Sequence, residues 1–133
     1  MLAEDNEINR LVVKSFLESS NLELICAHNG KESFNLAKRA EFDLILMDVS
    51  MPEMDGVEAT VSIRAYEESN GYPETPIICL TAHAMDEDRE RFLQAGMNDY
   101  LSKPIQKERL LEKINQWKHK SKRRGAKDVA KSA

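Results

Sequence analysis

Five charged or hydroxyl side chains stand where short apolar runs of the sequence end. A carboxylate in such a place is costly to bury unless a proton or a cation accompanies it. If the apolar runs are strands of one parallel sheet, their carboxyl ends meet at a single edge, and the five side chains converge there. The set comprises three carboxylates, one hydroxyl and one ammonium: Glu4, Asp5, Asp48, Thr81 and Lys103.

The three carboxylates indicate a metal site. Like charges in one cleft repel one another, so a proton or a hard cation must lie among them. Mg²⁺, or Mn²⁺ in its place, prefers oxygen ligands and often uses one or two carboxylates together with a phosphate oxygen. We predict that Asp5 and Asp48 are ligands and that Glu4 acts through water. The Ser50 backbone carbonyl completes the predicted site. The alternative is that the three acids are helix caps and loop residues.

The ammonium and the hydroxyl at the same edge indicate phosphoryl chemistry. Lys103 can pair with Asp48 at rest and with an added anion later, as a compact point charge. The Thr81 hydroxyl can donate to the same anion, and Ala82 beside it leaves space for one. Phosphoryl transfer needs mostly positioning and charge neutralisation, which this set supplies. Asp48 is the candidate nucleophile, because aspartyl phosphates are a known covalent form.

The elements that must position these side chains alternate along the chain. Short apolar runs with β-branched residues are separated by segments of helical period, which predicts βαβ units and a parallel sheet with helices on both faces. The predicted strands are residues 1–4, 22–28, 43–48, 76–82 and 99–103, and three of the predicted helices are residues 31–40, 57–69 and 85–95.

Two further helices are predicted from apolar residues that share one helical face. One follows a cap at Asn6 and would turn Ile8, Leu11, Val12 and Phe16 toward the sheet. The other precedes the C-terminal tail and would bury Ile105, Leu110, Ile114 and Trp117. The first strand has only about three usable residues where five or six are usual. We therefore expect an underpaired sheet centre and a monomer or weak dimer.

Composition indicates one globular domain, since 41% of the residues are apolar and 32% are charged. No apolar run approaches the roughly 20 residues of a membrane span, and no export signal opens the chain. We expect a soluble cytoplasmic protein that makes no membrane contact. Cys26 and Cys79 lie in apolar runs and are expected to be free thiols.

The charge of the chain is divided unevenly between a body and a tail. Residues 118–133 hold seven Lys and Arg against one Asp, whereas residues 1–117 hold 12 basic and 22 acidic residues. The tail could contact nucleic acid or an acidic partner. A short basic run without aromatics is more often a solvated linker, so we predict a domain over residues 1–118, a flexible tail over residues 119–133, and no nucleic-acid binding by the domain.

Four motifs, in this order, resemble those of the receiver domains of two-component response regulators. They are "EDN" at 4–6, "LILMDVSMPEMDG" at 44–56, "IICLTA" at 77–82 and "AGMNDYLSKP" at 95–104. The resemblance implies a flavodoxin-like, doubly wound α/β fold with five parallel strands in the order 2-1-3-4-5. It also implies a cis peptide between Lys103 and Pro104.

The resemblance also implies roles for the five side chains. Asp48 would accept a phosphoryl group from a phosphohistidine, Glu4 and Asp5 would hold Mg²⁺, and Lys103 and Thr81 would contact the phosphate. The partner would be a histidine kinase or a histidine-phosphotransfer domain. Such a domain is not a conventional enzyme, because it catalyses only its own phosphorylation and dephosphorylation. The wording "MPEMDGVEAT" and "LTAHAM" is similar to receivers appended to hybrid sensor histidine kinases.

A switch follows from the same resemblance. We hypothesise that phosphorylation of Asp48 draws Thr81 inward and lets Tyr100 turn into the space it leaves. Ser50 and His83 flank the approach to Asp48, so they are candidates for tuning the lifetime of the aspartyl phosphate.

Two rival functions remain open at this point. A haloacid-dehalogenase-like phosphatase also uses an Asp at a strand end with Mg²⁺, but it usually has a second acid two residues on, where this chain has Ser50. A degenerate receiver could serve only as a docking module, although the intact set of five side chains argues against it.

Overall fold

A computed structural model describes residues 1–82 and 86–120 of the chain. Its elements alternate between strand and helix throughout. They are β1 (Leu2–Ala3), α1 (Glu7–Leu17), β2 (Cys26–Ala27), α2 (Gly30–Arg39), β3 (Ile45–Asp48), α3 (Gly56–Asn70), β4 (Ile77–Thr81), α4 (Asp86–Ala95), β5 (Asp99–Ser102) and α5 (Lys107–Lys118). The five strands are parallel and lie in the order 2-1-3-4-5, so the predicted fold is confirmed.

The sheet separates two apolar layers, because successive side chains of a strand point to opposite faces. Ile45 and Met47 of β3 pack with residues of α2, α3 and α4, whereas Leu46 packs with residues of α1 and α5. All residues of β3 and β4 are buried, as the continuous apolar runs of central parallel strands predict. This burial holds Asp48 and Thr81, the last residues of β3 and β4, at one edge of the sheet.

Strand β1 has two residues and is shorter still than the short strand that the sequence predicts, yet it lies in the middle of the sheet. Its two residues pair with β2 on one side and β3 on the other. Hydrogen bonds continue beyond the strand, because the Glu4 amide donates to the Ala27 carbonyl at 3.0 Å and the Leu46 amide donates to the Met1 carbonyl at 2.8 Å. The short strand therefore places Glu4 at the carboxyl edge. The expectation of a monomer or weak dimer stays a prediction.

Strand β2 is much shorter than the predicted 22–28, since only Cys26–Ala27 form a ladder. The reason is that β2 is an edge strand whose neighbour is β1, and a two-residue strand cannot support a longer ladder. The bounds of α2, α3 and α4 agree with the prediction to one residue. Cys26 and Cys79 are free thiols.

Helix α1 buries a different face from the predicted one. Val13 and Leu17 are its buried residues. Ile8, Leu11 and Val12, predicted to face the sheet, are instead 69%, 57% and 38% exposed. Phe16, the fourth residue of the predicted face, is partly buried and packs against the core, so the prediction holds there and was wrong for the other three. It was wrong because α1 carries two apolar faces, and helical periodicity cannot tell which of them meets a sheet. The predicted face of α5 is confirmed, with Leu110 and Ile114 buried.

None of the helices in the described part of the chain combines the length and the apolar character that crossing a bilayer requires.

Candidate functional site

The carboxyl ends of β1, β3 and β5 bring four of the five predicted side chains together. Lys103, just after β5, places its Nζ 3.1 Å from Asp48 Oδ1 and 3.3 Å from Glu4 Oε1. One carboxylate oxygen from each of Glu4, Asp5 and Asp48 lies within 4.8 Å of the other two. Glu4 and Asp48 are buried and Asp5 is exposed, so the cluster opens to solvent on the Asp5 side.

Burial and the neighbouring charges change the pKa values of Glu4 and Lys103. Burial raises the pKa of Glu4 to about 7, and the hydrogen bond and negative charge of Asp48 add to the rise, while Lys103 and Asn9 oppose it. Burial by itself would lower the pKa of Lys103, but the carboxylates of Asp48 and Glu4 raise it overall. Near neutral pH Glu4 therefore titrates beside a charged lysine.

The donor set fits a hard divalent cation. Glu4 Oε2 is buried and has no hydrogen-bond partner among the described residues, although a buried carboxylate oxygen normally has one. Three carboxylate oxygens within reach of one another are the ligands that Mg²⁺ and Mn²⁺ prefer. A cation among them would relieve both the repulsion and the unsatisfied oxygen. Glu4, Asp5 and Asp48 could therefore hold it.

The loop after Asp48 approaches it very closely. The Ser50 amide donates to Asp48 Oδ1 at 3.1 Å, and the Gly56 amide donates to the Val49 carbonyl at 3.2 Å. A Cβ atom added to Gly56 would lie 2.2 Å from the Asp48 carbonyl oxygen, closer than any real contact. The structure therefore requires glycine at position 56, because the backbone after Asp48 approaches it so closely.

A second glycine packs against the same loop, and sequence analysis missed it. A Cβ atom on Gly30, the first residue of α2, would lie 1.9 Å from the Met54 carbonyl oxygen. The signal in the sequence is a glycine directly after Asn29, which caps α2 through the Glu32 amide at 2.7 Å. A glycine inside a helix start is unfavourable by propensity, so its presence there indicates a close contact.

Thr81 lies at the same edge, on the strand next to Asp48. It is buried at the end of β4, and its carbonyl accepts a hydrogen bond of 2.8 Å from the Lys103 amide. The backbones that carry the hydroxyl and the ammonium are thus tied to each other.

Tyr100 lies on β5 beside β4, on the same face of the sheet as Thr81. Its register partner is Cys79, two residues before Thr81 on β4, and residues two apart on a strand share a face. The Arg89 guanidinium lies over the Tyr100 ring, 4.5 Å from its centroid. The ring and Lys103 line a cleft of about 410 Å³. His83, the other tuning candidate besides Ser50, lies outside the described residues, as does most of the predicted tail, residues 121–133.

The peptide between Lys103 and Pro104 is cis, as the resemblance implied. The family model described as the response regulator receiver domain matches residues 1–115. This chain belongs to that family. It is a receiver domain of two-component signalling, and the predicted family is confirmed.

Relatives of the receiver domain include sensor kinases and solved receivers. The sensor protein GacS of Pseudomonas syringae pv. syringae is 41% identical over 117 residues, which cover 88% of this chain and 13% of GacS. The chain thus spans a small part of that relative's length.

Two solved structures share the fold. The receiver domain of the sensor histidine kinase PA1611 from Pseudomonas aeruginosa PAO1, with a magnesium ion coordinated in its active site cleft, is 41% identical. Its TM-score is 0.79, with 89% of this chain and 94% of that chain covered. The second is the co-crystal structure of the Saccharomyces cerevisiae histidine phosphotransfer signaling protein Ypd1 and the receiver domain of its downstream response regulator Ssk1. The matched chain of that structure is 36% identical in sequence to this chain. There the TM-score is 0.82, with 87% of this chain and 85% of that chain covered.

Proposed function

We propose that this receiver domain is a phosphoacceptor in a two-component phosphorelay, and that Asp48 takes a phosphoryl group from a phosphohistidine. The observation that carries the proposal is the Lys103 ammonium, 3.1 Å from Asp48 Oδ1, beside a cluster of three carboxylates. The cluster supplies a nucleophile and a cation site, and the ammonium supplies a partner for the incoming anion. These are the components that phosphoryl transfer needs.

In the proposed step, Asp48 Oδ2 attacks the phosphorus atom of the donor. Lys103 and the Ser50 amide both contact Asp48 through Oδ1, so they orient the carboxylate for attack by its other oxygen. A P–O bond forms as the P–N bond to the imidazole breaks, and the electron pair of that bond stays on the nitrogen. Lys103 then pairs with the phosphoryl oxygens, and the Thr81 hydroxyl donates to one of them.

We propose Mg²⁺, or Mn²⁺ in its place, as the cofactor. Asp5, Asp48 and the Ser50 backbone carbonyl would hold it, with Glu4 acting through water. The bound ion neutralises charge on the carboxylates and on the transferring group. The unpartnered Glu4 Oε2 and the PA1611 receiver, which holds magnesium in its cleft, support this proposal.

The decisive experiment incubates the protein with a small phosphodonor and Mg²⁺ and measures its intact mass. One labile phosphoryl group on Asp48 supports the receiver function. Steady turnover of unrelated phosphomonoesters would select the phosphatase instead, and an unmodified protein would select the docking module.

We propose that the donor is a histidine-phosphotransfer domain or a histidine kinase, and that it docks on α1. A donor must reach Asp48 from the carboxyl edge of the sheet, and α1 starts two residues after Asp5 at that edge. The exposed apolar residues Ile8, Leu11 and Val12 lie along this helix. The Ypd1–Ssk1 complex supports a partner of this kind for a similar receiver.

The double substitution Ile8→Glu and Leu11→Glu is expected to slow transfer from a phosphorylated histidine-phosphotransfer protein by roughly 10-fold or more, because charged side chains would replace apolar anchors of the interface. Phosphorylation by a small phosphodonor should not change, since neither residue is one of the acids or the ammonium of the site. Val61→Glu, an exposed apolar position on α3, is the matched control. Equal transfer rates from the protein donor for the double variant and the wild type would rule out docking on this face.

The switch is also a proposal, in which Thr81 moves toward the phosphoryl group and Tyr100 turns. Thr81→Ala should still accept the phosphoryl group, but the change in the NMR signals of Tyr100 on phosphorylation should disappear. Ser102→Ala, which removes a hydroxyl from the residue in register with Thr81 on β5, is the control and should keep the response. An unaltered response in Thr81→Ala would contradict the coupling.

We retain Ser50 and His83 as candidates that tune the phosphate lifetime.

We further propose that the receiver spans residues 1–118, acts in the cytoplasm as a monomer or weak dimer, and contacts neither nucleic acid nor membrane. Its catalysis is confined to its own phosphorylation and dephosphorylation. The excess of acidic residues in 1–117 supports the absence of nucleic-acid binding by the domain. Residues 119–133 are proposed to form a flexible basic tail.

A further inference from the structure

The turn that carries two of the three acids has little backbone support. Strand β1 ends at Ala3, and the chain leaves the sheet at Glu4, whose amide makes the last hydrogen bond to β2. Asp5 and Asn6 then lead directly into α1, and both are exposed. A two-residue strand restrains the peptide after Glu4 poorly, so other contacts must orient it.

A side chain of α1 makes such a contact. Arg10 Nη1 donates a hydrogen bond of 2.8 Å to the Glu4 backbone carbonyl. The position of Arg10 is itself well determined, because its amide donates to the Asn6 carbonyl at 3.1 Å and the Asn6 side chain caps the helix through the Asn9 amide at 3.0 Å. The guanidinium thus links the first turn of α1 to the end of β1 through a hydrogen bond.

This contact acts on both acids of the turn. The peptide between Glu4 and Asp5 is planar, so holding the Glu4 carbonyl fixes the plane from which the Asp5 amide and side chain leave. The carboxylate of the same residue, Glu4, contacts Lys103. We propose that Arg10 is a positioning residue for the metal-binding acids, which sets the affinity of the cluster for Mg²⁺; this inference rests on the proposed function.

The guanidinium also brings a positive charge near the cluster, and the two effects have opposite signs. Lost positioning weakens Mg²⁺ binding, whereas lost repulsion between guanidinium and Mg²⁺ strengthens it. Arg10 Nη1 hydrogen-bonds to the Glu4 backbone carbonyl and not to a carboxylate among the described residues, which favours positioning as the larger effect.

The test is a calorimetric titration of the whole chain with MgCl₂. Arg10→Ala should bind Mg²⁺ roughly 10-fold more weakly, the range seen when an outer partner of a ligand is removed. Arg10→Lys, which keeps a long donor, should recover most of the affinity. Lys14→Ala, one turn further along α1 and exposed, is the control and should bind like the wild type.

Two outcomes would overturn this proposal, and a third would overturn the proposed function. Binding of Mg²⁺ by Arg10→Ala as tight as, or tighter than, by the wild type would overturn it. So would weak binding by both Arg10→Ala and Arg10→Lys together with a large fall in the melting temperature without Mg²⁺, because that pattern indicates a general loss of folding. A wild-type protein that neither binds Mg²⁺ nor becomes phosphorylated on Asp48 would instead overturn the proposed function itself.

Discussion

Replacing Asp48 by Asn is expected to abolish phosphorylation by every donor. The amide keeps the size of the side chain and can still lie beside Lys103, but its oxygen is a poor nucleophile and cannot form a stable acyl phosphate. The product measured by intact mass should fall to the background of the assay. The fold should survive, because β3 is anchored by the buried residues Ile45, Leu46 and Met47.

The matched control for this substitution is Asp43→Asn. Asp43 is an exposed carboxylate just before β3, at the opposite end of the same strand from Asp48. The Asp43→Asn protein should accept the phosphoryl group on Asp48 at the wild-type rate. A phosphorylated Asp48→Asn protein would show that another side chain is the acceptor, and the proposed mechanism would then fail.

Replacing Lys103 by Gln is expected to slow phosphorylation roughly 100-fold, the cost of removing one donor aimed at developing charge. It should also lower the free energy of unfolding. The ammonium lies 3.3 Å from Glu4 and 3.1 Å from Asp48, which are both buried, and its loss leaves two acids without a counter-charge. We expect a loss of about 2–3 kcal/mol at pH 8, below the range for fully buried pairs because the Lys103 side chain is 24% exposed.

The pH dependence of this loss has a definite sign. Glu4 has a pKa of about 7 in the folded protein against an ordinary value of 4.5, so the folded state binds the proton more tightly. For such a group, stability falls as the pH rises through the window from 4.5 to about 7. Lys103 lowers the pKa of Glu4. Without it the pKa rises further and the fall extends above pH 7, so the variant should lose most at pH 8 and least near pH 5.

Chemical denaturation from pH 5 to pH 8 measures this effect, with Lys113→Gln as the control. Lys113 on α5 is exposed to a similar degree, 27%, and pairs with Asp99 at 2.8 Å, away from the acid cluster. Asp99 has a lowered pKa: burial acts to raise it, but the hydrogen bonds from Lys113 and Trp117 outweigh burial. The Lys113 variant should therefore lose a similar amount of stability at pH 5 and at pH 8. An equal loss at both pH values in Lys103→Gln would contradict the electrostatic account of the cluster.

Strands β3 and β4 show how far the sequence alone could predict this fold. Their apolar runs are continuous because both faces of a central parallel strand are covered, and that pattern placed Asp48 and Thr81 at their carboxyl ends. The short β1 was also visible in the sequence. The length of β2 was not, since it depends on the strand beside it and not on its own residues.

The buried face of α1 could not be predicted from the sequence, for a related reason. Both Val13 with Leu17 and Ile8 with Leu11 form helical stripes, and only the position of the sheet selects the first pair for burial. The second pair is thereby left exposed. Periodicity reports that a helix has an apolar face, but the choice between two faces is made by contacts with residues distant in the chain.

Residue types and their places at strand ends determined the fold class, the acidic cluster and its ammonium, because a parallel sheet always gathers its carboxyl ends at one edge. Tertiary structure alone decided the finer features of the site: the raised pKa of buried Glu4, the close approach of Gly30 and Gly56 to the loop after β3, and the Arg10 contact to the Glu4 carbonyl. Each of these depends on distances of a few ångströms between segments far apart in sequence or on a turn between two elements. Such distances follow from packing, which a pattern of residue types along the chain does not record.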